Sequence, residues 1–267
     1  STKLGDFADT AFKNNWIDSD PKEGKRGGAF CSGIQTIKES RILTNFTGTF
    51  SDIGTLAHEL GHGFHNVCLY DEHLLNTEYT MPIAETASIF CESVVKDAYL
   101  KEADEKQAFA ILQEDLSDAT QVIVDILSRY LFETELMARR EKGVVGVEEL
   151  KEMMLNAQKE SYGDGLDPDS LHPYMWACKP HYYYASVHFY NFPYAFGHLF
   201  AKGLYAQYKQ KGESFVDEYM KLLSITGKNN VADVTAKIGI DISKKDFWKG
   251  SLDLIAKDID RFVELAK

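Results

Sequence analysis

Two histidines four residues apart, His58 and His62, sit in the stretch "AHELGHGFH" at 57–65. Around them Ile53, Leu56, Leu60 and Phe64 recur at spacings of three and four, the period of one buried face of an α-helix. The spacing predicts a helix over 52–68, with Ser51 or Asp52 as its capping residue. Residues four apart on a helix lie one above the other, so both imidazoles project from one face. This pairing constrains the fold more than any other feature. It needs a helix firm enough to hold two side chains in register and a second element opposite it to complete a site.

Two imidazoles so placed can share one metal ion. Zinc takes neutral imidazole readily, and its catalytic sites use three protein ligands and keep a fourth position for water. Glu59 is turned about 100° from His58 around the helix. It would miss the metal and reach a metal-bound water, where a carboxylate serves as general base while the metal acidifies the water. Gly61 and Gly63 each cost about 1 kcal/mol relative to alanine in a helix. Their missing side chains would let another backbone pack close; chance placement is the competing reading.

A third protein ligand is needed. The metzincin pattern would place glycine at 65 and histidine at 68, where this chain has His65 and Cys68. A glutamate from downstream is the other common solution, and Glu72, Glu78, Glu85 and Glu92 are the candidates. Glu72 and Glu78 fall in the loop "YDEHLLNTEYT". Glu85 lies one turn into a helix expected over 82–101, with Pro82 tolerated in its first turn. Glu92, seven residues on, shares that face and suits either a residue that orients a ligand or an ordinary helix-face carboxylate. His65 reads as a packed, hydrogen-bonded residue and His73 as a solvated one. A helical di-iron carboxylate site would need Glu-x-x-His on two helices. Glu59-x-x-His62 has no such partner, because Asp169-x-x-His172 lies in a loop and lacks the glutamate.

The remaining pattern is mostly helical. Helices are expected over 5–17, in most of 104–142, and over 147–160, 190–211, 213–225 and 246–266. "DSDPKEGKRGG" (18–28) reads as a connector, and "AFCSGI" and "RILTNFTG" as two strands of a hairpin joined by "QTIKES". The expected fold is therefore mainly α, with a small β-sheet near the N-terminus. Hydrophobic residues make up 44% of the chain, enough for a sizeable core. No apolar run approaches the roughly 20 residues of a membrane span, and a formal net charge of −12 argues against a nucleic-acid partner. Cys31, Cys68, Cys91 and Cys178 form no C-x-x-C pair and read as reduced thiols. The first residues lack a charged-then-apolar secretory pattern, so a cytoplasmic protein is expected.

"TLAHELGHGFH" followed by "MPIAETASIFCES" resembles the thimet oligopeptidase and oligoendopeptidase F family of zinc peptidases. "GKRGGAFCSGI" and "RILTNFTGTFSDIGTLAHE" resemble that family's strand pair leading into the metal helix. "KPHYYYASVHFYNFPYAFG" is similar to its tyrosine-rich substrate segment. The resemblance implies a zincin-like helical catalytic domain over 1–267. It implies Zn2+ held by His58, His62 and Glu85, with Glu59 as base, and cleavage of short peptides. It points to His181 and Tyr190 as donors to the reaction's oxyanion, with Tyr194 nearby and His188 a rival for His181. The strand "RILTNF" is expected to line the cleft and pair with an extended peptide. The match covers only the family's C-terminal catalytic half, so the alternative reading is a half-enzyme that binds zinc and peptide without turnover.

Overall fold

The chain's architecture comes from a computed structural model that describes residues 2–186 and 188–267. The first helix, α1 (Thr2–Lys13), is shorter than the expected 5–17. It stops because Asn15 adopts a left-handed φ of 54°. The Trp16 amide then donates to the Ala11 carbonyl and the Asn15 amide to that of Phe12, the Schellman closure. Trp16 leaves the helix and packs on Phe7, ring centroids 6.2 Å apart.

Three short strands follow: β1 (Ile17–Asp18), β2 (Phe30–Ile34) and β3 (Glu39–Leu43), in the order β1-β3-β2. β2 and β3 form the anticipated antiparallel hairpin, with Cys31 opposite Ile42 and Gly33 opposite Ser40. β1, parallel to β3, was not anticipated from its two residues. It places "RILTNF" differently from expectation: β3 is the central strand, and β2 holds the open edge. Ile42 and Thr44 donate their amides towards β1. The residue opposite Ile42 therefore turns its own amide and carbonyl outwards, so Cys31 and Gly33 present free main-chain groups along the edge.

The metal-motif helix is α2 (Phe50–Leu69), and its cap is Thr49 rather than Ser51 or Asp52. Thr49 Oγ1 accepts from the Asp52 amide at 3.1 Å, and Asp52 Oδ2 accepts from the Thr49 amide at 2.9 Å. Asp52 thus supplies the reciprocal half of a capping box. These bonds, with further donors from Thr47, hold the Asp52 carboxyl well below its ordinary range.

The expected helix over 82–101 is two: α3 (Met81–Ala84) and α4 (Thr86–Glu102), separated at Glu85, whose φ and ψ are −83° and 2°. The long pattern over 104–142 likewise divides. α5 (Glu105–Thr120) passes into a π-helical turn, Gln121–Asp125, and then α6 (Ile126–Arg140). There the Ser161 hydroxyl donates to the Val124 carbonyl, and Asp125 pairs with Arg129. Beyond lie α7 (Val147–Tyr162), an irregular stretch with short 3-10 turns, α8 (Phe192–Lys211), α9 (Ser214–Ser224), the unanticipated α10 (Val231–Ala236) and α11 (Lys245–Leu265).

These elements form two compact units: residues up to Asp115 together with Gly197–Lys267, and Leu116–Phe196. The first has its core around Phe64, Ile83, Leu204, Phe215, Leu222 and Leu223, all nearly solvent-free. It also contains a buried ionic cluster. Asp115 accepts from Lys96 (2.8 Å) and Lys202 (3.1 Å), and Lys96 also donates to Asp258 (2.7 Å). The second unit has a smaller core of Phe132, Met153, Met154 and Ala157, ringed by residues such as Leu150, Trp176 and Tyr182. No helix among the described residues is long and apolar enough to cross a membrane.

Candidate active site

In the first unit, α2 presents His58 and His62 on one face, as helical geometry requires. Their rings meet edge to face, centroids 4.8 Å apart, and their Nε2 atoms are 3.2 Å apart. Glu85 Oε2 lies 3.1 Å from His58 Nε2 and 3.4 Å from His62 Nε2. These three side chains offer donor atoms all within 4.8 Å of one another, the one such group of three among the described residues. Of the other glutamates considered, Glu72 pairs with Lys228, and Glu78 is exposed. Glu92 bonds to His58 Nδ1, the nitrogen facing away from the cluster.

Two glycines and a serine set this geometry. A Cβ at Gly61 would lie 2.5 Å from the Ala87 carbonyl oxygen and 2.6 Å from Ser88 Cα. Gly61 therefore marks the contact of the α2 and α4 backbones; of the two readings open for it, close backbone packing and chance, this contact favours the first. Gly63 faces the Phe7 ring of α1. On the other side of Glu85, Gly197 of α8 comes so near that a Cβ there would sit 2.9 Å from Glu85 Cβ. The buried Ser88 hydroxyl lies 2.9 Å from the Glu85 carbonyl and 3.0 Å from its Oε2. It steadies both the helix break and the carboxylate. Ser88 was missed in the sequence, although its i+3 spacing from Glu85 is a readable signal.

The electrostatics are those of a site built around positive charge. Burial disfavours a charged His58, but the carboxylates of Glu85 and Glu92 override it and raise the imidazole to about 10. Burial pushes Glu85 up, yet the two histidines hold it well below the ordinary carboxylate range. Glu59 is 5% exposed, and desolvation raises its carboxyl, opposed in part by His58 and His62. His65 is wholly buried, bonded to Thr226 Oγ1 at 2.9 Å and stacked on Tyr79; burial lowers it to about 3, so it is neutral.

The donor set fits zinc: two imidazole nitrogens and one carboxylate oxygen. Neutral imidazoles whose Nε2 lone pairs face each other at 3.2 Å repel unless a proton or cation lies between them. Glu59 Oε2 is buried with no hydrogen-bond partner among the described residues, which leaves it as an acceptor for a donor in the adjoining cavity. That cavity, about 390 Å³, is walled by His58, Glu59, His62 and Glu85 on one side and by Phe30, Cys31 and Gly33 of the sheet edge on the other.

The remaining sequence candidates lie in the second unit. His181 is in a short 3-10 turn, its ring 4.6 Å from that of Tyr190 and 6.3 Å from that of Tyr194; Tyr190 and Tyr194 are 5.4 Å apart. The three thus form one aromatic group. Burial, then the Arg129 charge, lowers the His181 imidazole, favouring its neutral form. His188 is exposed. Tyr182 packs on Phe132, its hydroxyl 3.4 Å from the Arg129 carbonyl.

Residues 3–254 match the family model described as peptidase family M3. The chain belongs to peptidase family M3. This M3 chain is 28% identical over 260 residues to the chromosomal oligoendopeptidase F of Lactococcus lactis subsp. cremoris, covering 96% of itself and 42% of that protein. It is 27% identical over 256 residues to oligopeptidase PepF of Bacillus subtilis, covering 95% of itself and 38% of that protein. Its fold matches that of a Chlamydophila abortus chain assigned as a peptidase, with a TM-score of 0.86 and 25% identity over 99% of this chain and 44% of the other. A Bacillus anthracis chain assigned as an oligoendopeptidase F shares the fold at a TM-score of 0.74 and 21% identity, over 97% of this chain and 44% of the other. The chain therefore spans under half the length of these relatives.

Proposed function

We propose that residues 1–267 form the catalytic half of a zinc-dependent oligopeptidase that hydrolyses internal bonds of short peptides. The observation that carries this reading is the convergence of His58, His62 and Glu85 donor atoms within 4.8 Å, beside Glu59, whose buried Oε2 has no hydrogen-bond partner among the described residues. Zinc bound there would polarise the scissile carbonyl and make water acidic enough to lose a proton near neutral pH.

Glu59 would accept a proton from the attacking water at its buried Oε2 and return it to the leaving amine. Glu92, on the outer nitrogen of His58, fixes the tautomer that leaves Nε2 free to ligate. The open edge of β2 offers the amides and carbonyls of Cys31 and Gly33 to an extended peptide. Main-chain pairing of this kind reads little of the substrate's sequence. His181, Tyr190 and Tyr194 are assigned to the oxyanion on the resemblance, and their N–H and O–H groups suit that role. The names of the relatives, oligoendopeptidase F and oligopeptidase PepF, agree with short peptides as substrates. The four free cysteines suit a reducing compartment such as the cytoplasm.

The test is cleavage of an internally quenched peptide by the zinc-loaded chain and by its Glu59→Gln variant. The variant is expected to keep its zinc and lose about 10²- to 10⁴-fold in kcat. Equal cleavage by both would remove Glu59 as base. Zinc and peptide binding without cleavage by the parent would favour the half-enzyme alternative.

A further inference from the structure

Tyr190 sits in an unusual piece of backbone. The Asn191 amide donates to the Phe189 carbonyl at 2.7 Å, closing a three-residue turn with Tyr190 at its centre. Phe189 has a φ of 50°, a left-handed conformation that a bulky residue rarely adopts. Such strain persists only where surrounding contacts over-determine it. Here they come from Glu133 of α6, one buried carboxylate that holds both flanks of Tyr190. Its Oε1 accepts from the Phe189 amide at 2.7 Å, and its Oε2 accepts from the Asn191 side-chain amide at 2.8 Å. Asn191 is itself 1% exposed, and its Oδ1 accepts from the Phe192 amide at 2.5 Å, at the start of α8.

We propose that Glu133 is a positioning residue for Tyr190: its carboxylate clamps the strained turn and so aims the phenol. This rests on the reading of Tyr190 as an oxyanion donor. Nothing in the local sequence around Glu133 signals the role. The residue lies 57 positions from the tyrosine it holds, and only the fold brings its carboxylate to the turn.

The chemistry supplies its own control. Glu133→Gln replaces one acceptor oxygen with an NH2 group, which must then face either the Phe189 amide or the Asn191 side-chain amide, donor against donor. Adding Asn191→Asp reverses the polarity of that bond. The glutamine NH2 then donates to the new carboxylate, whose other oxygen still accepts from the Phe192 amide. Two readouts separate the clamp from the catalytic reading. Amide hydrogen exchange at Phe189 should quicken by about tenfold or more in Glu133→Gln and return towards the parent rate in the double swap. With zinc content unchanged, kcat should fall about tenfold in Glu133→Gln, recover in the swap, and show no further loss when Glu133→Gln is added to Tyr190→Phe.

Unchanged exchange in Glu133→Gln would overturn the clamp. An equal kcat loss in the parent and Tyr190→Phe backgrounds would overturn action through Tyr190. If Tyr190→Phe alone leaves kcat intact while exchange responds as expected, the clamp stands and the donor reading of Tyr190 fails.

Discussion

Gly61→Ala probes the contact on which the candidate metal site is built. The added Cβ would lie 2.5 Å from the Ala87 carbonyl oxygen and 2.6 Å from Ser88 Cα. Favourable contact begins near about 3.5 Å, so α2 and α4 must separate by about 1 Å. Both obstacles are backbone atoms, and no side-chain rotation relieves them. Ser88 also holds the Glu85 carboxylate, so the displacement reaches the third donor. Metal–ligand distances tolerate only about 0.2 Å, so ligation must pull the helices back together against the overlap. Overpacking of this kind costs about 1–3 kcal/mol, which converts to zinc binding about 5- to 150-fold weaker. Without metal the helices can stay apart, and the gain of about 1 kcal/mol in helix propensity offsets much of the strain. The assay is zinc affinity by chelator competition, read beside the urea midpoint of the metal-free protein. Gly63→Ala is the control: its Cβ meets the buried Phe7 ring of α1 rather than the α4 backbone, so it should lower the urea midpoint while zinc affinity falls less than in Gly61→Ala. Zinc affinity in Gly61→Ala equal to the parent's would refute the reasoning.

Other perturbations have equally definite outcomes. Glu92→Ala should weaken zinc binding about ten- to a hundredfold by freeing His58 to rotate and change tautomer; Glu92→Gln, which keeps an acceptor oxygen, should lose less. Asp115→Asn should cost about 3–5 kcal/mol in denaturant unfolding, because it strips the counter-charge from the buried Lys202 and from Lys96. Burial raises the Asp115 carboxyl, but Lys202 and Lys96 outweigh it and hold the group at about 2, below its ordinary 3.8. Its contribution to stability is therefore complete above pH 3.8 and lost as pH falls towards 2, which unfolding midpoints across pH 2–5 would show as a steeper acid loss in the parent than in Asp115→Asn. Thr49→Ala removes the α2 cap and should cost about 1 kcal/mol in the same unfolding assay.

What the sequence made legible was whatever is written in local periodicity. Ile53, Leu56, Leu60 and Phe64 announced α2, and the i, i+4 histidines followed from helical geometry alone. The glycines at 61 and 63 hinted at a close approach, yet which backbone approached was decided by contacts twenty-six residues downstream, at Ala87. The break at Glu85 was not read from an otherwise helical pattern: Ser88, three residues on, was a local signal passed over, and the facing Gly197 is far away in sequence. Register within the sheet failed for a similar reason. A two-residue strand has no periodicity to read, and β1 converted the expected edge strand into the centre. The turn at Tyr190 is the extreme case, since the carboxylate that holds it lies on a different helix.

The central claim is that His58, His62 and Glu85 bind one zinc ion. X-ray diffraction from zinc-loaded crystals, recorded on both sides of the zinc absorption edge, tests it most directly. The account expects a single anomalous peak about 2.0–2.2 Å from His58 Nε2, His62 Nε2 and a Glu85 carboxylate oxygen. A peak elsewhere, or no peak between these side chains in crystals that hold zinc, would contradict it.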